Sequence, residues 1–127
     1  MIQGTGSGVG KSILTAAFCR YFYQAGYKVT PFKAQNMALN SFVTESGEEM
    51  GRAQVYQAEA CGLKPEVLMN PILLKPSSDN NSQVIVMGKP DGFRNAKDFY
   101  SRHLKHKEVV TQALEELSSK YELVIIE

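Results

Sequence analysis

Apolar side chains are spaced differently in successive stretches of this chain, and each change of spacing marks a predicted element. Residues 12–25 are apolar on nearly every face, through Ile13, Leu14, Ala16, Ala17, Phe18, Tyr21 and Phe22. That predicts a helix packed on more than one side, closed by Gly26. Tyr27 to Phe32 predicts a strand with Pro31 near its end. A short strand start at Met1–Gln3, the helix and this strand make a strand–helix–strand unit, which implies a parallel pair with a right-handed crossover. Residues 34–48 are polar and rich in Asn, Ser and Gly, predicting a loop with a short helix around Met37 to Phe42. Glu49 to Cys61 predicts a helix, with Ala53, Tyr56 and Ala60 on one face and Gly62 closing it. Ile72–Leu74 and Val84–Val86 predict two strands, arranged as a hairpin would be around the turn-rich Pro76–Asn81. Residues 88–97 read as a loop. Phe99 to Tyr121 predicts one long helix, since Val110, Ala113, Leu114, Leu117 and Tyr121 follow the helical period. Leu123 to Ile126 is a continuous apolar strand, as in a sheet covered on both faces.

The polar punctuation at the start of the first helix carries the chemistry. Gly4, Gly6, Gly8 and Gly10 alternate, and Lys11-Ser12 follow at once. Strand, glycine-rich turn and helix N-terminus in that order predict a phosphate-binding loop. Glycines let successive backbone N–H groups converge on one point, and the helix end adds unpaired donors and partial positive charge. The strict pattern G-x-x-x-x-G-K-[ST] wants glycine where Thr5 stands; the glycine is one place earlier, at Gly4. The dinucleotide pattern G-x-G-x-x-G fits no register, because Val9 or Lys11 falls where its last glycine belongs. Thr5, Gly6, Ser7, Gly8, Val9, Gly10, Lys11 and Ser12 are therefore the expected binding residues for a nucleoside triphosphate, with Lys11 on the outer phosphates and the Ser12 hydroxyl on Mg²⁺.

Function in a parallel sheet gathers at the carboxyl ends of the strands. Lys33 stands just past the second strand and Glu127 just past the last. A carboxylate there is placed to hold Mg²⁺, and a lysine to neutralise a transferring phosphoryl group. A surface charge at a strand end is the competing account of each. Gln35, Asn36 and Asn40 form an amide-rich loop suited to orienting polar substrate groups, and equally to making turns. Glu49, read as opening a helix, is favoured there by the dipole alone or serves as a second metal carboxylate. His103 and His106 lie in a basic stretch, Arg102 to Lys107, that reads as a solvated helix face. Without a third ligand nearby they predict no metal site.

Composition bounds these readings without redirecting them. The chain has 127 residues, enough for one domain, and 43% are apolar. A net charge of +1, from 14 basic and 13 acidic residues, gives no reason to expect nucleic acid or an anionic membrane as partner. No apolar run approaches the ~20 residues of a membrane span, and nothing at the start resembles a signal peptide. Cys19 and Cys61 lack Cys-x-x-Cys spacing and read as ordinary buried thiols of a cytoplasmic chain. Both ends look cut: the opening strand is short, and the chain stops just past its last strand.

Longer runs of residues carry a resemblance. Gly4-Thr5-Gly6-Ser7-Gly8-Val9-Gly10-Lys11-Ser12 is similar to the loop of the dethiobiotin synthetase-like P-loop group. Pro31 to Ser41, Glu49 to Gln54 with Gln57 to Ala60, Met69 to Pro76, and the terminal Val124-Ile125-Ile126-Glu127 resemble the cobyric acid synthase family. The resemblance runs from Ile2 to Glu127 and is weakest over 89–120. It implies an α/β, three-layer P-loop NTPase-like fold, with a mainly parallel sheet flanked by helices and truncated at both ends. It implies that residues 1–127 are the N-terminal part of an ATP-binding synthetase domain, with a C-terminal glutaminase domain outside this chain. The implied activity is ATP-dependent amidation of a corrinoid a,c-diamide, with ammonia from glutamine. A glutaminase needs a cysteine nucleophile with a histidine partner, and Cys19 and Cys61 on apolar helices are poor candidates. This chain alone is therefore not expected to complete the reaction. Dethiobiotin synthetase and a,c-diamide synthase are the nearest alternatives, but the Gln35-Asn36-Met37 loop favours the first family. A partitioning-type ATPase would carry an extra lysine where Gly6 stands.

Overall fold

The computed structural model describes residues 1–77 and 81–127. Strand β1 (Val29–Phe32) runs parallel to β8 (Leu123–Ile126), with Val29 opposite Leu123 and Phe32 opposite Ile126. On the free edge of β8, Ile2 N–H donates to the Ile126 carbonyl at 2.7 Å. The expected opening strand is thus one backbone bond rather than a ladder. Beyond β1 the chain bends at Ala34 and enters β2 (Gln35–Met37), which pairs in parallel with β5 (Ile72–Pro76). The handover occurs at Lys33, whose N–H donates to the Met69 carbonyl at 2.8 Å. β5, β6 (Asn81–Val86) and β7 (Lys89–Asn95) follow as an antiparallel meander. The turn expected between β5 and β6 falls partly on 78–80, outside the described residues.

Helices cover both faces of the parallel strands, giving the expected three layers. Val29, Leu123 and Ile125 pack with Cys19 and Phe22 of α1 (Lys11–Gln24) and with Cys61 at the end of α2 (Arg52–Ala60). Phe32, Val124 and Ile126 pack with α2, a 3₁₀ turn at Val67–Met69, and Ala113 and Leu117 of α4 (His103–Lys120). Both cysteines are buried and unpaired, as expected. α1 is less enclosed than its composition predicts. Only Thr15, Ala16 and Cys19 are buried, whereas Ile13 is 71% and Tyr21 64% exposed. The strip of sheet beneath it is just β1, β8 and the Ile2 bond. Among the described residues, no helix is long and apolar enough to cross a membrane.

Four expectations change. The 34–48 loop holds no helix; it contains β2 and β3 (Ser41–Val43), and β3 pairs with β4 (Glu49–Gly51). That pairing takes Glu49 out of the helix it was expected to open, so α2 begins at Arg52. Residues 88–97 are mostly strand β7, entered by a turn in which Met87 and Gly88 both have positive φ, 47° and 74°. Two left-handed central residues match the twist of a hairpin. β7 is an edge strand with Pro90 beside a register shift, so it needs no apolar alternation. The long helix breaks at Arg102 into α3 (Ala96–Ser101) and α4, with Asn95 Oδ1 accepting from Asp98 N–H to cap α3.

The break puts His106 inside. It is 6% exposed and stacks on Phe99 with centroids 4.5 Å apart, so the basic stretch is not wholly a solvated face. Burial pushes the His106 pKa down, and Arg102, Lys105 and Arg94 push it further, against the pull of Asp91. The unfolded chain therefore takes up this proton first as pH falls below about 6.5. Stability is lost from there down to the folded-state pKa. His106→Phe is expected to flatten that loss; urea melts at pH 7.5, 6.5 and 5.5 would show the wild-type and variant curves converging in acid. An unchanged difference across that range would contradict it.

Candidate nucleotide-binding site

Elements that are distant in sequence meet in front of the N-terminus of α1. Gly8 and Gly10 take φ of 71° and 95°, a region that favours glycine, and turn the loop into the helix. Gly10 offers no side chain to cap α1, so first-turn N–H groups remain free for an anion. Lys11 folds back over the loop, its Nζ donating to the Gly6 carbonyl at 2.6 Å. A cleft of about 350 Å³ lies before this loop, lined by Ser7, Gly8, Gly10, Lys11, Ser12 and Ile13, and by Lys33, Asn36, Met37 and Glu127.

Glu127 is the hub. Its N–H donates to the Phe32 carbonyl at 2.9 Å, which sets it beside Lys33 across the β1–β8 pair. Ser12 Oγ and Lys33 Nζ both donate to Glu127 Oε1 at 2.8 Å, and Gln57 Nε2 donates to Oε2 at 2.7 Å. The side chain is 1% exposed. Burial by itself would raise the carboxyl pKa, but bonds from Lys33, Ser12 and Gln57 hold it below the usual carboxylate range. The carboxylate and the Ser12 hydroxyl are hard oxygen donors side by side at a phosphate loop, a set that fits Mg²⁺ with phosphate oxygens and water as further ligands. Among the described residues, no group of three or more His, Cys, Asp or Glu side chains stands ready to bind a metal unaided.

Two contributors were not singled out from the sequence. Gln57 is fully buried on α2 and also donates to the Ser12 carbonyl at 3.3 Å. Asn70 donates to the Lys33 carbonyl at 3.1 Å and the Ile72 carbonyl at 3.0 Å, and accepts from Gly51 N–H at 3.0 Å. It fixes the backbone that carries Lys33. An Asn ahead of a proline was the available signal for Asn70; Gln57 shares α2 with Arg52, Gln54 and Glu59 and gave none.

Other expected residues are dispersed. Thr5, Gly6 and Val9 are exposed and do not border the cleft. Asn36 is buried and borders the cleft, whereas Gln35 lies on the opposite face of β2 and Asn40 is exposed outside the cleft lining. Glu49 also lies outside that lining. Its carboxylate accepts from Lys75 at 2.5 Å and from Ser41, and these bonds overcome burial to keep its pKa low.

Residues 1–126 match the family described as the CobQ/CobB/MinD/ParA nucleotide binding domain. The cobyric acid synthase of Desulfitobacterium hafniense (strain DSM 10664 / DCB-2) is 59% identical over 128 residues, covering 100% of this chain and 25% of the relative. That of Carboxydothermus hydrogenoformans is 59% identical over 131 residues, covering 100% and 26%. That of Clostridium acetobutylicum is 55% identical over 127 residues, again 100% and 26%. The chain spans about a quarter of the length of these relatives. No solved structure gave a match.

Proposed function

Because the chain belongs to the CobQ/CobB/MinD/ParA nucleotide-binding domain family, we propose that it supplies the ATP site of a cobyric acid synthase. In this reading residues 1–127 are the N-terminal part of the synthetase domain, and a glutaminase domain lies elsewhere in a longer cytoplasmic polypeptide. The substrate is adenosylcobyrinic acid a,c-diamide. A side-chain carboxylate attacks the γ-phosphorus of ATP, the bond to the β-phosphate oxygen breaks, and an acyl phosphate and ADP result. Ammonia from glutamine then attacks the acyl carbon; phosphate leaves, a proton is lost, and an amide remains. A carboxylate is a poor electrophile, and the phosphoryl group gives it a leaving group.

The residues divide this work. Backbone N–H groups from Ser7 to Ser12 cradle the phosphates. Lys11 swings from the Gly6 carbonyl onto the outer phosphates. Lys33 faces the transferring group and stabilises charge as it develops. Ser12 and Glu127 would hold Mg²⁺, which when bound neutralises charge on the outer phosphate oxygens. Gln57 keeps the Glu127 carboxylate turned toward Ser12. The observation that carries the reading is the convergence of Ser12, Lys33 and Gln57 on Glu127 before the loop, in a chain 59% identical to cobyric acid synthases.

The test is an assay of the full-length protein with the corrinoid diamide, ATP and glutamine, following phosphate release and product mass. Equal amounts of phosphate and amide are expected. Phosphate release indifferent to the corrinoid would overturn the reading.

A further inference from the structure

A second hollow, about 280 Å³, lies beside the phosphate cleft and shares one wall with it: Met37 borders both. Alternation along β2 sends Gln35 and Met37 to this side and Asn36 to the other. Register carries the floor onward, since Met37 stands beside Leu74 and Leu74 beside Val84. Phe99 and Tyr100 of α3 form the far wall. Gln35, Asn95 and Arg94 supply its polar groups. Arg94 is fixed by Nη2 donating to the Asp91 carbonyl at 2.6 Å and to Asp91 Oδ2 at 3.0 Å, while its buried Nε–H has no partner among the described residues. Among the described residues, no carboxylate lines the hollow.

Resting on the function proposed above, we infer that this hollow is the acceptor subsite, holding one edge of the corrinoid while a neighbouring carboxylate arm reaches past Met37 to the phosphate cleft. The chemistry matches on each count. The floor and far wall suit the methyl-bearing rim of a macrocycle, and Gln35 and Asn95 suit its amide arms. The Arg94 Nε–H, without a partner among the described residues, suits an acceptor oxygen on one of the macrocycle's arms, while Asp91 already pairs the guanidinium charge. The volume falls just below that of sites that enclose a drug-sized ligand, so it takes an edge rather than the whole ring. The position answers the geometry of transfer: the attacking oxygen must meet the outermost phosphate, so the acceptor body lies just beyond the cleft.

Tyr100 is 70% exposed and Gln35 is exposed, so substitutions there spare the core. In the full-length protein, Tyr100→Ala and Gln35→Glu are each expected to weaken diamide binding about tenfold, the equivalent of roughly 1.4 kcal/mol. Equilibrium dialysis read by the corrinoid's visible absorption measures this. The KM for ATP and glutaminase turnover should stay unchanged. Corrinoid binding that is unaffected in both variants overturns the inference. A raised KM for ATP with unaffected corrinoid binding also overturns it, by giving the hollow to the nucleotide. A wild-type protein that amidates the diamide while both variants match it sinks the subsite alone. A wild-type protein that neither binds nor amidates it sinks the function as well.

Discussion

Lys11→Ala is expected to reduce corrinoid-dependent phosphate release by about 10³-fold or more, on the scale seen when one preorganised charge-stabilising group is removed. Lys11 makes no ion pair among the described residues, and its single bond is to the Gly6 carbonyl within its own loop. Its cation is therefore available to phosphate without breaking a salt bridge first. The cradle itself is backbone, shaped by Gly8 and Gly10, and survives the substitution. Turnover should accordingly suffer more than ATP affinity. The glutaminase activity proposed for the full-length protein serves as the internal control and should persist. A variant retaining more than a few per cent of wild-type amidation would show that the loop does not serve the reaction.

Gly88→Ala is expected to be the most destabilising small substitution, by about 3 kcal/mol and roughly 10 °C in Tm. Two penalties combine there. The residue has φ of 74°, which alanine adopts at a cost. An added Cβ would also lie 2.5 Å from Glu48 Cβ, 2.8 Å from Val67 Cγ1 and 3.0 Å from the backbone nitrogen of Glu49. Glu49 N–H donates to the Gly88 carbonyl, so the β6–β7 turn and the β3–β4 hairpin must separate to make room. Differential scanning calorimetry would measure the shift, and a change below about 2 °C would refute the tight approach.

What the sequence made legible follows from periodicity and punctuation. α1, α2, β1 and β8 were foreseen to within a few residues because each is a strong pattern bounded by glycine or a turn. The β5–β6 pairing was foreseen for the same reason. β7 was not, because an edge strand of Lys, Pro, Asp, Gly, Phe, Arg and Asn buries too little to show alternation. β3 and β4 are three-residue strands whose pairing is tertiary, so the polar residues around them read as loop. The break at Arg102 is invisible to a helical period that continues on both sides.

For the site, the loop, Lys33 and Glu127 were visible as charges at the ends of elements. Gln57 was not, because an uncharged amide on a helix face carries no signal until the carboxylate opposite it is known. The likeness to cobyric acid synthases extends over the whole chain, yet residue roles still had to come from geometry. Glu49 shows why: a strand and a lysine took up a carboxylate that sequence alone left open to metal.

The Glu127 hub also fixes when nucleotide competence can arise. Its partners Ser12 and Lys33 precede it by 115 and 94 positions, and β1 meets β8 over a similar separation. Closing so long a loop is slow compared with forming α1. On the ribosome, a nascent chain released before Leu123 has emerged would own its glycine turn but no socket. In the proposed reading, newly made protein thus remains blind to the nucleotide until β8 has docked against β1.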